Sequence, residues 1–94
     1  MSETLTQFGT SFQSKIVASL MSDIKFIQTI SDILEPDMFD SDSNKWLVKA
    51  IRDYFYEYKK QPTLEVVKYK IDEIDNDVLK SGVIEKLREV WKNI

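Results

Sequence analysis

At 94 residues, with a net charge of −3 and neither cysteine nor histidine, the chain is sized for one domain with one modest core. Its composition excludes disulfides, thiolate or imidazole metal sites, and Ser/His or Cys/His nucleophiles. Two glycines are too few for a phosphate-cradling loop, the acidic balance argues against wholesale coating of nucleic acid, and no apolar run approaches the roughly 18–20 residues of a membrane span. Apolar residues at 43%, charged at 31% and aromatic at 12% are those of a folded globular chain. The N-terminus lacks the basic-then-apolar layout of a signal peptide, so the expected location is the cytoplasm.

Residues 1–10 are polar with Gly9 and read as a loose lead-in whose Phe8 docks on the core. From Ser11, Phe12, Ile16, Val17, Leu20 and Met21 recur on one helical face. Asp23 is placed to cap a second helix carrying Ile27, Ile30 and Leu34, with Phe26 and Ile33 beside them, and Pro36 stops it near Leu34. Ser41, Asp42 or Ser43 caps a third helix running to about Lys60, with Trp46, Leu47, Ala50, Ile51, Tyr54 and Tyr58 in one stripe and Phe55 at its margin. Thr63 caps a short fourth helix with Glu65 in its first turn and Leu64, Val67 and Ile71 facing inward. Residues 72–77 form a turn, and a last helix over about 83–93 presents Val83, Ile84, Leu87, Val90 and Trp91, with any earlier turn at Val78 and Leu79 interrupted near Gly82. The expected architecture is all-α, a single domain over 1–94 built as a small compact bundle of about five to six helices.

Two constellations stand out. On the third helix, Lys45, Lys49, Arg52, Tyr56, Lys59 and Lys60 fall within an arc of about 100° opposite the apolar stripe. Between Ser43 and Lys60 five basic residues face two acidic ones, which leaves the rest of the chain at −6. The stripe reads either as a docking surface for an acidic partner or nucleic-acid backbone, with Tyr56 available to stack, or as the solvated outer face of an amphipathic helix. Just before that helix, residues 35–42 hold four acids, Glu35, Asp37, Asp40 and Asp42, around Phe39. A divalent-metal loop fails at its required glycine and closing acid, whereas Asp40 and Asp42 near the positive end of the third helix serve as start residues. Phe39 reads as a structural anchor that pins the connector into the bundle, with an exposed anchor for a partner as the other reading, and Trp46 reads as a second structural anchor.

The segments "FQSKIVASLMSD" (12–23), "ILEPDMF" (33–39), "NKWLVKAIRDYF" (44–55) and "KKQPTLEVVKYKI" (60–71) together resemble, in order and spacing, the N-terminal domain of DnaB-type replicative DNA helicases, in texture the phage, T4-like forms. Ile16-Val17, Ala18-Ser19, Leu20-Met21 and Asp23 match the family's opening helix, Phe39 its phenylalanine before the third helix, and Pro62 its proline before the next. Gln13 stands where bacterial members have glutamate, Ala18 and Ser19 replace glycines, and Asn44 stands in for a histidine. The resemblance covers about sixty residues. It implies a non-enzymatic collar domain that self-associates and binds primase or a helicase loader in the primosome. It implies no cofactor within this domain, ATP and Mg belonging to a C-terminal ATPase domain, and DNA met mainly through the full-length protein. A free-standing adaptor or primase-type helicase-binding domain, and a single-stranded DNA-binding module using the cationic stripe of the third helix, are the other function classes.

Overall fold

The computed structural model describes residues 5–94. Among them the chain forms five α-helices and no strand: α1 Gly9–Ser22, α2 Ile24–Ile30, α3 Asp42–Tyr58, α4 Leu64–Asp72 and α5 Asp77–Trp91, with single 3-10 turns at Thr6–Phe8 and Pro36–Met38. The radius of gyration, 12.3 Å, is that of a compact domain of this length, about 12 Å. All five helices therefore share one core. α3 is its spine, packed against α1, α4, α5 and the Pro36–Met38 turn.

Local capping chemistry explains the helix starts. Asp23 accepts from the Phe26 N–H, Ser41 from Asn44, Thr63 from Val66 and Asn76 from Leu79, each satisfying one amide that the helix leaves unpaired. α3 ends at Lys59, whose left-handed backbone (φ 59°) turns the chain, with its N–H on the Phe55 carbonyl at 2.8 Å. Pro62 is buried beside it, and Gln61 Nε2 donates to the Leu20 carbonyl at 2.7 Å, closing the C-terminus of α1 with a side chain from the α3–α4 connection.

The core holds Val17, Leu20, Ile27, Leu34, Phe39, Leu47, Val48, Ile51, Val67, Ile71, Val83, Leu87 and Val90. Several sequence expectations shift, each for a physical reason. α1 is rolled relative to its expected face: Phe12 is 41% exposed while Gln13 and Ser14 are buried. Both buried polar residues find partners. Ser14 Oγ donates to Glu89 Oε1 of α5 at 3.1 Å, and the Gln13 amide closes on Asp40. Residues 1–4 of the expected loose lead-in lie outside the described residues. Residues 5–10 are built into the fold, with the Leu5 N–H on the Met38 carbonyl at 2.8 Å and the first turn of α1 starting at Gly9. Phe8 does not dock on the core; it is exposed and packs on Phe12 with ring centroids 4.9 Å apart.

α2 stops at Ile30 rather than near Leu34, and residues 31–33 form turns. Tyr56 Oη donates to the Ser31 carbonyl at 2.7 Å, occupying the acceptor that a continuing helix offers to the amide four residues on. Ile33 consequently points outward and Leu34 inward. On α3 the buried face is Asn44, Leu47, Val48 and Ile51; Trp46, Ala50, Tyr54 and Phe55 flank it half-buried and Tyr58 is exposed. On α5, Ile84 and Trp91 lie outward of the buried Val83, Leu87 and Val90.

α5 runs unbroken through Gly82. A Cβ there would meet Ser43 Oγ of α3 at 2.6 Å, while Ser43 Cβ stands at 4.0 Å. The glycine is thus a close-approach residue between two helices, not a break. Two effects oppose each other on substitution: alanine gains about 1 kcal/mol of helix propensity, and the serine hydroxyl must rotate away. Gly82→Ala is expected to gain less than about 0.5 kcal/mol in the natural background but close to the full 1 kcal/mol when combined with Ser43→Ala. Urea midpoints of the four proteins in that double-mutant cycle check this, and additive effects would remove the proposed contact.

Candidate protein-docking surfaces

The acidic connector is a structural knot. Gln13 Nε2 donates to Asp40 Oδ2 at 2.9 Å and to the Leu5 carbonyl at 3.4 Å, while Gln13 Oε1 accepts from the Asp40 N–H at 3.1 Å. Thr6 Oγ1 also donates to Asp40 Oδ1. Hydrogen bonds from Thr6 and then Gln13 hold the Asp40 carboxyl below its ordinary pKa against the opposing effect of burial, and the charge of Lys45 adds the least. Asp40 therefore ties the lead-in to α1 and does not serve the start of α3, where Ser41 caps and Asp42 occupies the first turn. Phe39 beside it is buried in the core, 2% exposed. Trp46 is only half-buried at the edge of that core. Among the described residues no three of His, Cys, Asp and Glu converge as a metal-holding group. Asn44, where the resemblance has a histidine, is buried with its Oδ1 unpartnered.

The six docking residues read from α3 separate into two groups. Arg52 and Tyr56 are directed back onto the fold: Arg52 Nε donates to Tyr56 Oη at 3.1 Å, its Nη1 meets Glu35 Oε2 at 3.1 Å, and its Cζ lies 5.2 Å from the Tyr56 ring centroid. With Tyr56 Oη on the Ser31 carbonyl, the pair braces α3 against the end of α2. The hydrogen bond to Tyr56, and after it the one to Glu35, raise the Arg52 pKa against the lowering effect of partial burial. Lys49 pairs with Asp53 one turn along at 2.7 Å, both well exposed, an arrangement that adds little to stability. Lys45 is half-buried, and Lys59 and Lys60 are exposed at the end of α3. The continuous cationic stripe is thus broken by a brace in its middle.

Three surface grooves have no counterpart in the sequence reading. The first, about 590 Å³, lies between the lead-in, α1 and α2; its lining includes Leu5, Phe8, Phe12, Ile16, Phe26, Ile30, Ile33 and Met38 with Lys15 as its one charged residue. Ile33 at 63% exposure and Phe8 at 54% make this a contiguous apolar surface rather than scattered side chains. The second, about 670 Å³, lies between α4 and α5, floored by Leu64, Ile71, Ile84, Leu87 and Trp91 and edged by Lys68, Arg88, Lys92 and Asp72. The third, about 420 Å³, lies between α3 and α4 and carries Tyr54, Tyr58 and Tyr69 with Glu57, Glu65, Glu73 and Lys70. Their sequence signals were present: Phe8 and Phe12 stand one helical turn apart, as do Ile84 and Arg88, but amphipathic periodicity assigns aromatic and aliphatic residues to the core by default.

No helix among the described residues is long and apolar enough to cross a membrane. No protein-family model matches the chain, and no curated protein and no solved structure matches it.

Proposed function

We propose that this chain is a non-catalytic helical docking domain, the N-terminal collar of a replicative hexameric DNA helicase, which associates with other copies and docks primase or a helicase loader during DNA replication. ATP hydrolysis with Mg belongs, in this reading, to a separate C-terminal domain. The order of the four quoted segments supports the family part of the reading. The observation that carries the docking part is the open apolar groove between the lead-in, α1 and α2. A small domain with a filled core gains nothing for its own stability by exposing Phe8, Phe12 and Ile33 on one face, and such patches mark protein–protein contacts. Aromatic residues at a patch centre supply most of the energy of such contacts.

The test is the affinity of the domain for the primase and the loader encoded in the same genome, measured by calorimetry for the natural protein and for Phe12→Asp and Ile33→Asp. Both residues are exposed, so far-UV circular dichroism should be unchanged while affinity for at least one partner falls by at least about tenfold, the effect of about 1.4 kcal/mol. Unchanged binding by both variants would reject the groove as the docking site. The single-stranded DNA reading is tested alongside by Lys45→Glu/Lys49→Glu/Lys60→Glu. Arg52 is left alone because reversing it would remove the brace to Glu35 and Tyr56. The triple variant is expected to keep partner affinity within about twofold. Tight oligo-dT binding by the natural domain, lost in the triple variant, would favour the DNA-binding module instead.

A further inference from the structure

We infer that copies of this chain join head to tail through the two flanks of α4. The inference deepens the self-association part of the proposed function and does not depend on the α1–α2 groove. At about 100° per residue, Leu64, Lys68 and Ile71 lie on nearly the opposite side of α4 from Val66, Tyr69 and Glu73. One side opens on the α4–α5 groove, where Lys68, Arg88 and Lys92 outnumber the single acid Asp72. The other opens on the α3–α4 groove, where Glu57, Glu65 and Glu73 outnumber the single cation Lys70. None of these three cations and none of these three glutamates forms an ion pair within 4.0 Å among the described residues, so each flank presents free charge to solvent.

The apolar components complement each other as well. The cationic flank exposes Trp91 at 45%, and the acidic flank exposes Tyr58 and Tyr69 at 53% and 69%. Aromatic side chains of this kind act as contact anchors, and tyrosine rings accept arginine and lysine on their faces. A net charge of −3 makes whole-molecule pairing repulsive, so association must come from the local match of +2 against −2. Because the two surfaces differ and lie on nearly opposite sides of α4, they cannot meet reciprocally in one two-fold pair; the contact is heterologous and leaves one flank open on each end, closing only as a ring.

Sedimentation velocity tests this with Lys68→Ala/Arg88→Ala, which removes the cationic flank, and Tyr58→Ala/Tyr69→Ala, which removes the aromatic anchors of the acidic one. All four residues are exposed and helical, so alanine keeps the fold. The natural chain should associate as concentration rises to about 0.5 mM, a range that reveals contacts of millimolar Kd, and more strongly at about 50 mM than about 500 mM salt. Each variant alone should stay monomeric. Mixed in equal amounts, each still has one intact flank, so the mixture should form a 1:1 dimer and nothing larger. A natural chain that stays monomeric throughout, variants that associate as well as it does, or a mixture that gives no dimer would each overturn the inference. Partner binding at the α1–α2 groove with failed association rejects this inference alone; association with no partner binding rejects the docking reading alone.

Discussion

Phe39→Ala is expected to lower the free energy of unfolding by about 3–5 kcal/mol, the cost of removing a buried phenylalanine and leaving a cavity. Phe39 is among the largest fully buried side chains, and it enters the core from the connector between α2 and α3 rather than from a helix. Its removal therefore takes away the connector's largest apolar attachment, leaving Leu34 and Met38, as well as core volume. Against a total of about 5–15 kcal/mol, such a loss is a large share of the stability of so small a domain. Trp46→Ala, from a half-buried residue at the core margin, should cost less than about 2 kcal/mol, since the area it removes from water is partial. Urea midpoints of the two variants check the ranking. An equal or greater loss for Trp46→Ala would mean that the tryptophan, and not Phe39, anchors the bundle.

Gln13→Glu is the second large effect. The substitution preserves shape but replaces the amide that donates to Asp40 Oδ2 and to the Leu5 carbonyl with a carboxylate. A buried acid then faces the Asp40 carboxylate, and an uncompensated buried charge costs about 3–5 kcal/mol. The pH dependence identifies the cause. In the natural protein the Asp40 pKa is lowered by Thr6 and Gln13, so its contribution to stability is present above its unfolded value, near 4, and is lost as pH falls below that. In the variant the repelled carboxyl has its folded-state pKa raised above its unfolded value near 4. Its protonated form is then the one the fold accepts, and the penalty disappears as pH falls toward 4. Thermal midpoints measured from pH 7 to about 4 should thus rise on acidification for Gln13→Glu while those of the natural protein hold or fall. Parallel curves would mean that lost packing, not charge repulsion, explains the variant.

What the sequence makes legible here is the chemistry that acts over a few residues. Asp23, Ser41 and Thr63 cap helices because a short acceptor side chain meets an amide three positions on, and the all-α class follows from apolar periodicity. Phe39 is recognisable as a lone aromatic among acids. The roll of α1 is not legible in the same way, because it is decided by Gln13 meeting Asp40 27 residues later and Ser14 meeting Glu89 75 residues later. Gly82 reads as an interruption until Ser43 is placed beside it. Arg52 and Tyr56 share a helical face with the lysines, yet the end of α2 approaches that face and recruits them. The candidate surfaces were hidden for a related reason. Apolar residues of α1, α4 and α5 are more numerous than the small core accommodates, and which of them remain outside depends on how the helices rotate against one another.

The most direct test of the collar reading is to sequence the parent gene beyond codon 94. The reading predicts an open frame that continues into a further helical segment and then a glycine-rich phosphate loop ending in Lys-Ser or Lys-Thr, the signature of the ATPase to which this domain would be the collar. A stop codon immediately after Ile94, or a frame that runs into a domain without that loop, would contradict it and leave a helical adaptor that acts through partners of its own.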